Sequence, residues 1–321
     1  MMKILSICIP TFNRSKKLSN CLDSIVLQFD DKLVEEVDVH IFDNDSTDNT
    51  EEVCKNYMNK YSFIYYHKKN ENVGPDKNFL SILKSDIQSQ FYHLMSDDDI
   101  YRDKIKELSN YLKENSDLHF VYLNIEYFWE NEYDASIRHK RMSAINKNLI
   151  NLKKSEFIKI VKNELSFLSG MIFNSKYINS KNEEQFYNTN WLQSYMLFNS
   201  TINSNGHLGF FAKVTVSKRN INENPGYNPI IVFGENYYNL LKYAWENCKY
   251  NKKEMKKLLS SRWIKLIYWA KITGKNKKEW MRLIEIAKNE KMNKVILFSK
   301  LPRFIAILFH KTKNIILRRS N

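Results

Sequence analysis

Glycine and proline are scarce, 7 and 5 in 321 residues, which excludes a collagen-like or Gly/Pro-rich low-complexity polymer. A disordered chain is excluded as well, because 43% of the residues are hydrophobic and 14% aromatic, enough to bury a substantial core. The 4 cysteines, Cys8, Cys21, Cys54 and Cys248, include no CxxC pair and have no histidine-rich company. Zinc ligation and a disulfide framework are therefore both poorly supported, and reduced thiols fit best. Long apolar runs are missing too: none approaches the roughly 18 to 20 residues of a spanning helix. The opening MMKILSICIPTFNR is too short in its apolar part for a signal h-region and has no small-residue cleavage site. It reads as a first buried strand, and the expectation is a chain neither secreted nor membrane-spanning.

Charge is present but unevenly placed. The net balance is +14, yet residues 249–321 carry 21 Lys and Arg against 4 Asp and Glu, or +17, leaving −3 for residues 1–248. A near-neutral body with a cationic tail suits a polyanionic partner, an anionic membrane face or nucleic acid.

Short apolar or β-prone runs occur at 4–9, 37–42, 62–66 and 90–95, and helical spacing lies between them, as in Leu18, Leu22, Ile25, Val26 and Phe29. Such alternation predicts an α/β fold with a parallel sheet covered on both faces, whose ligands bind beyond the carboxyl ends of the strands. Further strands are expected at 119–129 and 207–217, with helices near 154–164 and 190–203. From about Gly234 the pattern is helix after helix.

Three strand-ending loops are dense in polar groups: Pro10 to Arg14, Asp43 to Asp48, and Ser96 to Asp99. They should meet at one edge of the sheet. Asp97, Asp98 and Asp99 repel one another unless solvated or bound to a cation, and a hard divalent ion bridging carboxylate to substrate phosphates suits them. The plainer account is a solvated loop whose Asp99 caps the helix that follows. Asp48 with Glu51 resembles a capping box and Asn13 a helix cap, whereas a carboxylate at the strand end, Asp43, can accept a ring N–H from a nucleotide base.

Taken together, the stretches ICIPTFNR, IFDNDSTDNT, NENVGPDKN and YHLMSDDDIY resemble family 2 glycosyltransferases of the GT-A fold, and among them the enzymes that build bacterial O-antigen and capsule repeat units. The resemblance covers roughly residues 3–115 and fades through about 235. It implies a GT-A, Rossmann-like nucleotide-sugar domain with a mixed central sheet over 1–233, comprising a nucleotide-sugar half (1–115) and an acceptor half (116–233), followed by a basic helical region over 234–321. By motif, it implies that Thr11, Phe12 and Arg14 contact nucleotide base and diphosphate and that Asp43 binds the pyrimidine N3. Gly74 and Asn78 match a loop beneath the donor, with Lys77 near phosphate. Many relatives read Asp-x-Asp-Asp where this chain has Ser96 first. In that register Asp98 is the best ligand for Mg²⁺ or Mn²⁺, Asp97 its ribose or metal neighbour, and Asp99 a third candidate.

An inverting transfer also needs a base for the acceptor hydroxyl. Relatives place an Asp or Glu before a helix in the second half; this chain presents Asn190 and Gln193 there, so Glu184, beside Glu183, becomes the candidate. His207 has a structural reading besides a functional one. Phe128, Trp129 and Trp191 could line a sugar platform or pack in the core, and residues 224–229 could be a lid or a plain connector. In residues 294–317 apolar side chains alternate with Lys and Arg, which suits a helix lying on an anionic leaflet; nucleic acid is the weaker partner, since no recognised module accompanies the charge.

The expected activity is metal-assisted, inverting transfer from a nucleotide sugar, a UDP-sugar foremost, to a lipid-linked or oligosaccharide acceptor at the inner face of the cell membrane. The alternatives are a sugar nucleotidyltransferase, disfavoured because PTFNR has no glycine, and a non-catalytic carbohydrate or nucleic-acid binder on the same fold.

Overall fold

Residues Lys3–Thr11 form β1, buried from Leu5 through Ile9, the continuous burial of a strand covered on both faces. The structure is a computed structural model; it describes residues 2–130, 137–219, 228–274 and 276–302. The chain divides into two units, 1–223 and 224–321.

In the first unit β1 leads to α1 (Ser15–Val26), α2 (Asp31–Glu36), β2 (Val37–Asp43), α3 (Thr50–Lys60), β3 (Ile64–Lys68), α4 (Pro75–Leu83) and β4 (Ser89–Leu94). A short β5 (Ile100–Tyr101), α5 (Ile105–Glu114), β6 (Phe120–Glu130), β7 (Ile137–Arg141), β8 (Leu149–Leu152), α6 (Lys154–Val161), β9 (Met171–Asn174), α7 (Leu192–Ser200) and β10 (Leu208–Arg219) follow. The sheet runs β3-β2-β1-β4-β9-β6-β10-β5, with β7 on β6 and β8 on β10. β3, β2, β1 and β4 are mutually parallel, as the crossovers α1 to α4 require. The sheet becomes mixed at β9, which lies antiparallel to both β4 and β6.

Helix α1 buries Leu18, Cys21, Leu22, Ile25 and Val26, a stripe at spacings of three and four that faces the sheet. All four cysteines are buried and none forms a disulfide. Burial pushes the Cys8 and Cys21 thiols up, helped by nearby carboxylates.

Two expected caps are arranged differently. Asn13, at φ 52°, does not cap α1; its Oδ1 accepts from the Thr47 amide at 2.7 Å, tying the first loop to the second. Asp48 caps both helices: its Oδ2 accepts from the Ser15 amide at 3.1 Å, and its Oδ1 from the Thr50 amide at 3.0 Å. The loops after β1 and β2 are thereby clamped to each other.

The second unit holds a π-turn at Ile231–Asn236, then α8 (Tyr237–Asn247), α9 (Lys252–Thr273), α10 (Lys277–Asn289) and α11 (Asn293–Ser299). Its core contains Tyr237, Leu241, Leu259, Trp263, Ile267 and Leu283. Gly234 is required by close packing, because a Cβ there would lie 2.9 Å from the Leu283 methyls. The Lys271 ammonium donates to the carbonyls of Ser299 at 2.7 Å and Leu301 at 2.5 Å, capping α11. Among the described residues no helix is long and apolar enough to cross a membrane. Residues 303–321, which hold most of the expected leaflet-binding stretch, and 224–227 of the expected lid lie outside the described residues, as do the side chains of Phe128 and Trp129.

Candidate active site

The carboxyl ends of β1, β2 and β4 open onto a cleft of about 530 Å³ in the first unit. Its wall includes Thr11, Phe12 and Arg14 from the first loop, Asn44 from the second, Asn72, Asp76 and Asn78 around the start of α4, Ser96 and Asp97 from the third, and Asn190 and Gln193 near α7.

Asp97 organises the middle of this wall. It is 3% exposed, and its two oxygens accept from Thr11 Oγ1 and Arg14 Nη1, both at 2.8 Å. Burial raises its pKa, and the Arg14 charge and the Thr11 hydroxyl offset part of the rise. Arg14 also reaches Asp98 Oδ2 at 3.4 Å. Asp98 does not line the cleft itself; its side chain is 19% exposed and its Oδ1 accepts from Ser96 Oγ at 2.7 Å. Asp99 goes the other way. It is buried, with Oδ2 accepting from Ser169 Oγ at 2.6 Å, and Ser169 Oγ in turn accepts from the Ser96 amide at 2.8 Å. The Ser169 carbonyl accepts from His93 Nε2 at 2.9 Å, and burial lowers the His93 pKa to about 4, so a neutral ring completes this support. Asp99 is thus anchored beneath the loop through Ser169, and it does not cap α5.

Asp43 also turns inward. It is fully buried; Oδ1 accepts from the amide and hydroxyl of Ser46 at 2.9 and 2.6 Å, and Oδ2 from the Tyr66 hydroxyl at 2.6 Å. Its neighbour Asn44 faces the cleft instead. Asn44 donates to Asn72 Oδ1 at 2.8 Å and accepts from the Val73 amide at 3.0 Å, which fixes the NVGPDKN loop against the second loop. Gly74 sits at φ 82°, where a side chain would be strained, and starts α4. Asn78 lines the cleft and donates to the Phe42 carbonyl at 3.0 Å. Lys77 is exposed and lies over the Tyr187 ring, 5.6 Å from its centre, rather than in the cleft wall.

The expected base is not in the cleft. Glu184 is on the exposed side of a short turn, and Glu183 is buried in an ion pair with Lys84. Trp191 is fully buried, a core residue and not a sugar platform. His207 precedes β10, whose start pairs with the start of β6; that is the opposite edge of the sheet, and His207 faces Asp117 at 3.8 Å. Motif reasoning passed over Asn44, Asn72, Asp76 and Leu168, although the first three lie inside the stretches that carry the resemblance.

Among the described residues no three His, Cys, Asp or Glu side chains form a metal cage. The donor set nonetheless fits Mg²⁺ or Mn²⁺. Asp98 is the most open carboxylate of the triplet, and such ions need only one or two carboxylates when phosphates and water complete the shell.

Residues 6–176 match the family model described as glycosyl transferase family 2. The chain is similar to the abequosyltransferase RfbV of Salmonella typhimurium, 36% identical over 117 residues, which are 36% of this chain and 34% of that protein. The chain spans about a third of the length of the curated relatives it matches first. Staphylococcus aureus TarS 1–349 in complex with UDP-GlcNAc is similar in structure, with a TM-score of 0.64 at 14% identity, over 96% of this chain and 92% of that one. A Pyrobaculum calidifontis mannosyltransferase in complex with GDP-mannose and Mn²⁺ has a TM-score of 0.52 at 13% identity, over 99% of this chain and 81% of that one.

Proposed function

The chain belongs to glycosyl transferase family 2, and we propose that it transfers a sugar from a nucleoside-diphosphate donor, a UDP-sugar foremost, to a saccharide acceptor of a bacterial surface polysaccharide. The observation that carries this reading is the Thr11–Asp97–Arg14 cluster in the cleft wall at the ends of β1 and β4. A guanidinium there suits a diphosphate, since charge-assisted hydrogen bonds are the strong ones. Phe12, 39% exposed at the same wall, offers a flat face to a base, and Asn44 holds the neighbouring NVGPDKN loop in place beside it. Asp98, with Asp97 beside it, would hold Mg²⁺ or Mn²⁺. When bound, the ion neutralises charge developing on the diphosphate as the sugar leaves.

The test is calorimetric titration with UDP, GDP and CMP in Mn²⁺, followed by nucleotide release from a panel of UDP- and GDP-sugars. Binding of one diphosphate and its release from a matching sugar donor is the expected result. Pyrophosphate release from a nucleoside triphosphate and a sugar phosphate would make the protein a nucleotidyltransferase instead.

The acceptor is proposed to be lipid-linked, reached while the tail rests on an anionic leaflet at the inner face of the cell membrane. The +17 balance of residues 249–321 supports this, each Lys or Arg near such a surface contributing about 1 kcal/mol. Liposome flotation checks it: the full chain should float with anionic vesicles and not neutral ones, and come off as salt rises. A chain ending at residue 302 should float far less. Equal flotation of both removes residues 303–321 from the proposal, since the shortened chain keeps 16 of the 21 Lys and Arg, and retention by competing nucleic acid alone would replace the membrane as partner.

A further inference from the structure

Of the residues lining the cleft, the ionisable ones are Arg14, Asp76 and Asp97. Asp97 has both oxygens engaged, by Thr11 and by Arg14. Asp76 differs from it. It is 7% exposed, it lies in the first turn of α4, and its Oδ2 is buried with no hydrogen-bond partner. An orphaned carboxylate oxygen costs a fold free energy without return, so its place in a cleft wall asks for a partner that arrives from outside. Asn190 and Gln193, where the expected acid is absent, line the same cleft.

We propose that Asp76 takes the proton from the acceptor hydroxyl, filling the role that Asn190 and Gln193 cannot; this rests on the transferase reading above. As the acceptor oxygen bonds to the anomeric carbon, its O–H bond breaks and the proton passes to Asp76 Oδ2. The bond from the anomeric carbon to the diphosphate breaks at the same time, its electron pair leaving on the diphosphate.

The surroundings suit that work. Burial raises the Asp76 pKa, and the backbone N–H groups of Asn190, Asn188 and Thr189 face the carboxyl and offset part of the rise. A base is more effective as its pKa moves toward the working pH. The charges nearest in the cleft wall are those of Arg14 and Asp97, which largely satisfy each other at 2.8 Å. Lys77, next along α4, is directed to the Tyr187 ring. Gly74 and Pro75 at the start of α4 fix the backbone from which Asp76 projects, so the carboxylate is held by a helix end and not by a loose loop.

The experiment compares Asp76→Asn and Asp76→Ala with the unaltered chain. UDP and GDP binding in Mn²⁺ is measured by calorimetry, and turnover as nucleotide release from the donor found above, with octyl glycosides as acceptors. Nucleotide affinity should stay within about threefold, because the proton is taken only in the transition state. Turnover should fall on the order of 10²–10⁴ in both variants, the acidic limb of the kcat profile should vanish, and formate should restore part of the Ala variant's turnover. Turnover within tenfold of the unaltered chain, with the acidic limb in place, would overturn the assignment. So would a turnover loss matched by lost nucleotide affinity, which would make Asp76 an anchor for residues 188–190. Failure of the unaltered chain to bind any nucleoside diphosphate would instead count against the transferase reading itself.

Discussion

Replacing Asp98 with asparagine is expected to cut metal-dependent turnover by about 10²–10³-fold, the cost of losing one charge-stabilising group in a transition state, while the protein stays folded. The geometry separates the two effects. Asp98 is partly exposed, and its Oδ1 accepts one hydrogen bond from Ser96, which an asparagine oxygen can accept as well. What is lost is the negative charge that a hard divalent ion needs among its oxygen ligands. Turnover as a function of Mn²⁺ concentration, beside thermal unfolding of both chains, makes the comparison. A variant that keeps full activity, or an unaltered chain fully active in excess chelator, ends the assignment. Asp99→Asn is the contrasting change. Asp99 is buried against Ser169, and asparagine there should lower the unfolding midpoint more than it alters the metal dependence.

The contrast between Asp98 and Asp99 marks where the sequence stopped being legible. The strands that end at the site could be read because each is an apolar or β-prone run of about six residues followed by a polar cluster, and the sheet order places their ends together. The antiparallel β9 was not read, since MIFN is four residues long, too short to show a period. Within the loops, residue type was legible and direction was not. Successive side chains at a strand end point to opposite faces, so a one-residue difference decides whether Asp43 or Asn44 meets the cleft. Here Ser46 and Tyr66 take Asp43 inward. Tyr66 belongs to another strand, and nothing local to IFDNDS announces it. Asp76 is inconspicuous for a similar reason: an acid in the first turn of a helix is ordinary, and the backbone N–H groups that meet its carboxyl belong to residues 188–190, more than a hundred positions away.

Removing the Arg14 side chain should weaken nucleoside-diphosphate binding by about 10–100-fold, the usual range for a hydrogen bond to a charged group, and should destabilise the protein in a pH-dependent way. Asp97 is the reason for the second effect. Its pKa is already raised by burial, and Arg14 is the cation that limits the rise. A carboxyl whose folded pKa lies above its unfolded value of about 3.9 holds its proton more tightly when folded. The stability it lends is full below that unfolded value and is lost as pH rises through the folded pKa. Without Arg14 the folded pKa climbs further, so the loss deepens and extends to higher pH. Breaking a fully buried pair costs roughly 3–5 kcal/mol. The Arg14 side chain is 45% exposed, and water screens much of that, so about 1–2 kcal/mol at pH 7 is expected. Toward pH 4 the deficit should shrink, because Asp97 is then increasingly protonated in the folded protein with or without Arg14. Urea unfolding of Arg14→Ala and the unaltered chain at pH 4, 5.5 and 7, with calorimetry at pH 7, reads both effects. A stability deficit that is the same at every pH would mean that Arg14 acts through packing of its stem, and unchanged nucleotide affinity would take the guanidinium out of the donor site.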